Sequence, residues 1–419
     1  MLLYHIYDWQ HAVLTPFRLA AEATQAAFQN PFMPAAYTQV GRAIAASAEM
    51  FERSTRQFTK PEFNLTSIKL RGQTLQVEEE VVATKSFCRL LHFRRISTSP
   101  VIAKLIANDP TVLIVAPLSG QHATLLRNTV DAMLPEHDVY ITDWIDAKMV
   151  PLSQGKFDLE DNISYIMDFI RHLGPNVHVM AVCQPSVPVL CAVSLLADMD
   201  DPAQPRSMIL MGGPIDTRDA KTILCDIAES HTLDWFHNTM IHAIPFYYPG
   251  AYRLVFPGFL QLQGFMSMHI DRHIGEHFKM FLNLVRGNGE AAEVHRKFYD
   301  EYFSAMDVTA EFYLQTVERV YQNCDLPNGT FRWHDRLVKP QTIKRTALLT
   351  VEGEMDDISA PGQTQAAHEL CAGLPPGMKQ AHLEIGIGHY SVFYGRRWRN
   401  NIQPVVQNFI RAHFGHTNE

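Results

Sequence analysis

No stretch of this sequence is long and apolar enough to form a bilayer-spanning helix, which takes about 20 residues, so helical passage through a membrane is excluded. Basic charge is short as well: 36 Lys and Arg stand against 44 Asp and Glu, a net charge of −8. A general nucleic-acid binder needs a basic surface, which this balance argues against. The opening residues Met1-Leu2-Leu3-Tyr4-His5-Ile6-Tyr7-Asp8 hold no basic cluster and make a poor signal peptide. Cysteine is scarce: Cys88, Cys183, Cys191, Cys225, Cys324 and Cys371 are scattered without a repeated spacing. With no export signal they read as reduced thiols of a cytoplasmic protein, five of them as small packing residues. Neither an internal repeat nor a low-complexity tract is present.

What the chain does have is core. Its 419 residues are 47% hydrophobic and 19% charged, enough for one large α/β domain with an insertion, or for two domains. Residues 7–56 read as helical, with Val13, Leu14, Phe17, Leu19 and Ala20 on one side. The plainer reading docks that side on the core; the alternative offers it to a partner. Strands follow at Ser67-Ile68-Lys69-Leu70, Leu75-Gln76-Val77 and Cys88-Arg89-Leu90-Leu91-His92-Phe93, with a turn at Gly72-Gln73.

Strand–helix units then begin. Thr111-Val112-Leu113-Ile114-Val115 and Asp138-Val139-Tyr140-Ile141-Thr142 are apolar strands separated by a helix over 122–134. Asp158 caps a helix striped by Ile163, Ile166, Ile170 and Leu173, which Gly174-Pro175 ends. Further strands lie at Val177-His178-Val179-Met180-Ala181-Val182, Ser207-Met208-Ile209-Leu210-Met211, Thr346-Ala347-Leu348-Leu349-Thr350-Val351 and Ala381-His382-Leu383-Glu384-Ile385, with a last helix over 398–414. Repeated units of this kind predict a mainly parallel central sheet with helices on both faces. Between Asp216 and Gln341 the alternation stops and the composition turns aromatic and mostly helical, as a cap would. The expected layout is a helical extension over 1–65, a core over 66–216 and 341–419, and a cap insertion over 217–340.

Cys183 ends the apolar strand and is followed by Gln184-Pro185-Ser186 and a helical apolar pattern. A lone reactive residue on a strand-to-helix turn is the nucleophile elbow of α/β-hydrolases, written here with sulfur in place of oxygen. A thiol nucleophile needs a base, and the base an orienting acid. His389, in Gly386-Ile387-Gly388-His389 just past the last strand, is the candidate base. Asp356 and Asp357, in the loop after Val351, compete as the acid; the Asp-x-Ile spacing favours Asp356, with Asp216 an outside candidate. The order Cys, Asp, His matches this fold class. An oxyanion takes two backbone N–H groups: Gln184 supplies one, and Leu118 or Ser119 the other, because Pro117 has none. Ser119 reads equally well as a helix cap. His269, His273 and His277 fall at helical spacing, but a polar helix face explains them more simply than a metal site. No metal and no cofactor is expected.

These segments resemble the intracellular poly(3-hydroxybutyrate) depolymerases. The likeness is carried by Ala116-Pro117-Leu118-Ser119-Gly120, Thr142-Asp143-Trp144-Ile145-Asp146, Val182-Cys183-Gln184-Pro185, Met211-Gly212-Gly213-Pro214, Tyr248-Pro249-Gly250, Val351-Glu352-Gly353-Glu354-Met355-Asp356-Asp357 and Gly388-His389-Tyr390. It implies an α/β-hydrolase with a Cys183-Asp356-His389 triad that cleaves amorphous polymer on cytoplasmic storage granules and releases 3-hydroxybutyrate oligomers or monomers. Related synthases carry Gly-x-Cys-x-Gly; Ala181 and Pro185 stand in the flanking places here, which disfavours a synthase. The rival readings are an acyltransferase, synthase-like or passing its acyl group to coenzyme A, and a granule-binding protein without catalysis. Self-pairing as a homodimer stays open.

Overall fold

The computed structural model describes residues 2–268 and 270–415, Arg272 through its backbone alone. Helix α1 (Leu2–Gln29) lies against α2 (Gln39–Thr55), whose N-terminus Thr38 caps by accepting from Gly41 N–H at 3.0 Å. The expected inner side of this extension is turned outward: Val13, Phe17 and Leu19 are 43%, 60% and 60% exposed. The opposite face is the buried one. The buried Tyr4 hydroxyl donates to Asp307 Oδ2 at 2.6 Å, and the Tyr7 ring stacks on Phe259. A helix can bury one face only, so Leu2, Ile6, Trp9, Val13 and Phe17 form a continuous stripe toward solvent.

The sheet contains β1 (Ser67–Leu70), β2 (Gln73–Lys85), β3 (Cys88–Ile96), β4 (Thr111–Val115), β5 (Asp138–Trp144), β6 (His178–Val182), β7 (Ser207–Met211), β8 (Ala347–Gly353) and β9 (Lys379–Glu384). Their order is β1-β2-β3-β5-β4-β6-β7-β8-β9. The pairs from β1 to β5 by way of β3 are antiparallel, and β5 through β9 are parallel. Every residue of β6, β7 and β8 is buried, which is why these strands read as unbroken apolar runs rather than as alternation.

Helices cover the sheet. The helical stretch after β4 opens with a 3-10 turn (Ala123–Leu126) before α3 (Arg127–Met133). Helix α4 (Leu159–Leu173) is capped by Asp158, whose carboxylate accepts from the Glu160 and Asp161 N–H groups at 3.0 Å. Helix α5 (Ser186–Asp198) follows β6 and is buried over almost its whole length. Between β7 and β8 the chain is mostly helical, including α6 (Gly258–Met268), α7 (Ile270–Arg286) and α8 (Gly289–Phe303). It also holds a small antiparallel sheet of His242–Ala243, Leu254–Phe256 and Val308–Thr309, too short to leave a period in the sequence. From Met306 onward this segment rejoins the main core through Val308, Phe312, Phe331 and Val338. The N-terminal helices are tied to it by ion pairs: Arg296 on α8 clasps Glu49 at 2.6 Å, and Arg53 reaches Asp300 at 2.6 Å. Among the described residues no helix is long and apolar enough to cross a membrane.

Candidate active site

Parallel strands all deliver their carboxyl ends to one edge of the sheet, and side chains on the loops there can converge. Cys183 leaves β6 with φ +69°, left-handed backbone that a non-glycine residue adopts at a cost of about 1–3 kcal/mol. Two bonds hold it: Cys183 N–H donates to Met211 O at 2.7 Å, and Ser186 N–H donates to Cys183 O at 3.0 Å. The neighbouring strand end must stay small for this turn to fit. A Cβ on Gly213 would collide with Ser186 Oγ and with Cys183 O. The turn thus lifts the thiol out of the core; Cys183 is partly open, whereas the other five cysteines are buried. Burial pushes the thiols of Cys88 and Cys191 up, and that of Cys371 to about 12, which leaves them inert.

The loops after β8 and β9 bring in Asp356 and His389. Buried Glu352 anchors the first: its carboxylate accepts from the backbone N–H groups of Gly362, Thr364 and Gln365 at 2.8–3.0 Å. Asp356 Oδ1 accepts from Ile358 N–H and Ser359 N–H, so Oδ2 is left to face His389 Nδ1 at 2.7 Å. On the β9 loop, Gly386 takes φ +73° to make the turn, while Gly388 is extended at φ −91° and needs no special freedom. His389 borders the same cavity as Cys183. Burial disfavours the imidazolium, but the Asp356 carboxylate and Cys183 outweigh it and raise its pKa well above the ordinary value.

The rival acids lie elsewhere. Asp216 is engaged by Arg218, at 2.9 Å from Nε and 2.6 Å from Nη2. Asp357 is exposed and borders a neighbouring chamber of about 460 Å³ that His389 and Tyr390 also line, and the place facing His389 Nδ1 is taken by Asp356. Of the three histidines at helical spacing, His269 lies outside the described residues. His273 bonds Tyr299 at 2.9 Å, and His277 stacks on Phe303. Among the described residues no group of three His, Cys, Asp or Glu is arranged to hold a metal ion.

The loop after β4 is shaped by β5: Thr142 Oγ1 accepts from Ala116 N–H at 2.9 Å, and Trp144 Nε1 donates to Ala116 O at 2.8 Å. It carries Leu118 and Ser119 to the rim of a cavity of about 340 Å³ that also takes in Cys183, Gln184 and His389. Leu118 N–H donates to the side-chain Oε1 of Gln184 at 3.2 Å. The remaining wall is largely apolar, with Leu125, Phe236, Phe256, Phe265, Phe312 and Val317 among its members. Tyr321 and Tyr390, neutral because burial pushes their phenols up, stand beside the thiol. Sequence reasoning passed over both, along with Glu352 and the Gln184 side chain. Glu352 left one readable trace, a carboxylate directly after the buried run that ends at Val351.

The sheet order and the strained turn between β6 and α5 define this chain as an α/β-hydrolase-fold protein. Residues 212–414 match the family described as PHB de-polymerase C-terminus. No curated protein matches the sequence. Among solved structures, the chain is similar to a meta-cleavage product hydrolase from Pseudomonas fluorescens IP01, at 13% identity and a TM-score of 0.42, over 83% of this chain and 97% of that one. It is similar also to a thermophilic esterase from Thermogutta terrifontis, at 12% identity and a TM-score of 0.41, over 81% and 99%. A third is a monoacylglycerol lipase from Paleococcus ferrophilus, at 11% identity and a TM-score of 0.41, over 73% and 96%.

Proposed function

We propose that the protein is a carboxylic ester hydrolase that depolymerises amorphous poly(3-hydroxybutyrate) through a cysteine acyl-enzyme. The observation that carries this reading is His389, bonded to Asp356 through Nδ1 and sharing a largely apolar cavity with the Cys183 thiol. The family match over 212–414 supports the choice of polymer.

In the first step the Cys183 sulfur attacks an ester carbonyl carbon of the chain while His389 Nε2 takes the thiol proton. The carbonyl electrons move onto oxygen, where the N–H groups of Gln184 and of Leu118 or Ser119 stabilise the charge. The tetrahedral centre collapses, the C–O bond to the next monomer breaks, and His389 returns its proton to the departing hydroxyl. A thioester remains on Cys183. Water then attacks it, His389 takes one proton, and collapse releases the 3-hydroxyacyl product as its acid and restores the thiol. Asp356 fixes the imidazole with its Nδ1 proton inward and supports the imidazolium.

The reaction is tested by acid-quenching the enzyme during turnover of emulsified amorphous polymer and mapping adducts by mass spectrometry. The peptide containing Cys183 should carry a 3-hydroxybutyryl group or oligomer. An acyl group on another residue, or none during active turnover, rejects the cysteine mechanism.

Docking on cytoplasmic storage granules belongs to the same proposal, and the outward stripe of α1 supports it. Leu2, Ile6, Trp9, Val13 and Phe17 present an apolar face, and Arg18 is turned inward to Thr55 O. Such a face suits an uncharged polyester better than an anionic lipid surface, which calls for Lys and Arg. Trp9→Glu or Phe17→Glu should each remove about 1.5–3 kcal/mol of docking. The expected result is a fall of at least about tenfold in co-sedimentation with amorphous granules at unchanged circular dichroism; undiminished co-sedimentation of both variants rules out α1 as the docking element.

A further inference from the structure

The hydrogen bond between Leu118 N–H and the Gln184 side chain sits where the reaction needs an empty donor. Leu118 follows Pro117, so its N–H is the first one the loop after β4 can offer to the cavity. In the structure that N–H is already taken, at 3.2 Å, by a carbonyl oxygen belonging to the residue that follows the nucleophile. The Gln184 carboxamide oxygen is chemically the same kind of atom as the one a substrate carbonyl would bring.

We propose that the side chain of Gln184 is a built-in occupant of the oxyanion site, which must swing out before an ester carbonyl can enter. This rests on the esterase reading above and deepens it: Gln184 has two opposed roles, with its backbone N–H helping to form the site and its side chain closing it. An ester carbonyl is a weaker hydrogen-bond acceptor than a carboxamide, so a loosely placed ester does not displace the side chain easily. The occupant therefore opposes substrate capture. In the resting state it also keeps the Leu118 donor satisfied without a bound water.

Gln184→Met keeps the length and bulk of the side chain without the carboxamide oxygen, and Gln184→Ala removes the reach altogether. With a soluble short-chain 4-nitrophenyl ester, both variants should show KM lowered about two- to tenfold, the range of one net neutral hydrogen bond, with kcat/KM raised above the parent. A side chain that merely braces the loop predicts the opposite: kcat falls and KM does not improve. That result, or unchanged constants in both variants, overturns the proposal. A second readout needs no turnover. Amide hydrogen exchange at Leu118 should quicken in both variants without substrate, while exchange in β6 stays as in the parent. Unchanged Leu118 exchange also overturns the proposal. If the parent hydrolyses no ester, the esterase reading fails on that fact alone, and Leu118 exchange still decides whether the side chain occupies the site.

Discussion

Cys183→Ala is expected to remove polymer hydrolysis, with a loss in kcat on the order of 10⁶, the scale seen when a nucleophile that works as a unit with its base is deleted. The phenols of Tyr321 and Tyr390 are held neutral by burial, and Ser186 Oγ is buried behind the turn without a hydrogen-bond partner. The fold should survive, because alanine meets the same backbone demand at φ +69° that cysteine meets already. Release of 3-hydroxybutyrate from emulsified amorphous polymer, followed beside a thermal melt, measures both. A variant that melts like the parent and retains even one-hundredth of its rate contradicts a nucleophilic role for Cys183.

Asp356→Asn is the second large effect. The carboxylate does two things at once: it holds His389 Nδ1 at 2.7 Å and it offsets the cost of burying an imidazolium. Asparagine can mimic the shape but not the charge, and it can present its amide N–H₂ where an acceptor is needed. Losses on the order of 10³–10⁴ in kcat follow when such an acid is replaced by its amide. Stability should respond with a definite sign. His389 is raised in the folded state, so its contribution is fully present below its unfolded value of about 6.5 and is lost as pH climbs through the raised folded value. The parent should therefore exceed Asp356→Asn most on the acid side of about pH 6.5, with the gap narrowing toward alkaline pH. Urea midpoints of the two proteins across that span provide the measurement. A gap that widens with pH is the wrong sign and would show that the raised imidazole is not what Asp356 sustains.

Much of this site was visible before any coordinates. β6, β7 and β8 announce themselves as buried runs because both faces of a parallel sheet are covered, and the residues just past such runs must lie at its carboxyl edge. That is enough to nominate Cys183, the loop holding Asp356 and Asp357, and His389. The Asp-x-Ile spacing favoured Asp356; in the structure the Ile358 and Ser359 amides seat one of its oxygens and leave the other to His389. Local pattern could rank the two but could not show the seating, which is set by the loop's own geometry.

The apolar character of α1 was equally plain, but its orientation was not. Amphipathicity shows that a helix has a greasy side without saying which way it turns when its polar and aromatic side can also be buried. Contacts from the opposite face, among them the Tyr4 bond to an aspartate 303 residues away and the Arg18 bond to Thr55 O, leave Val13 and Phe17 to solvent. Linear order, then, determined the strands, their succession and the chemistry available at their ends, because those follow from short-range periodicity and from the placement of loops in a parallel sheet. Which carboxylate faces the imidazole, which face of the first helix meets water and where the Gln184 carboxamide rests were decided only on folding, because each depends on a directional contact between groups far apart in the chain or set by loop geometry.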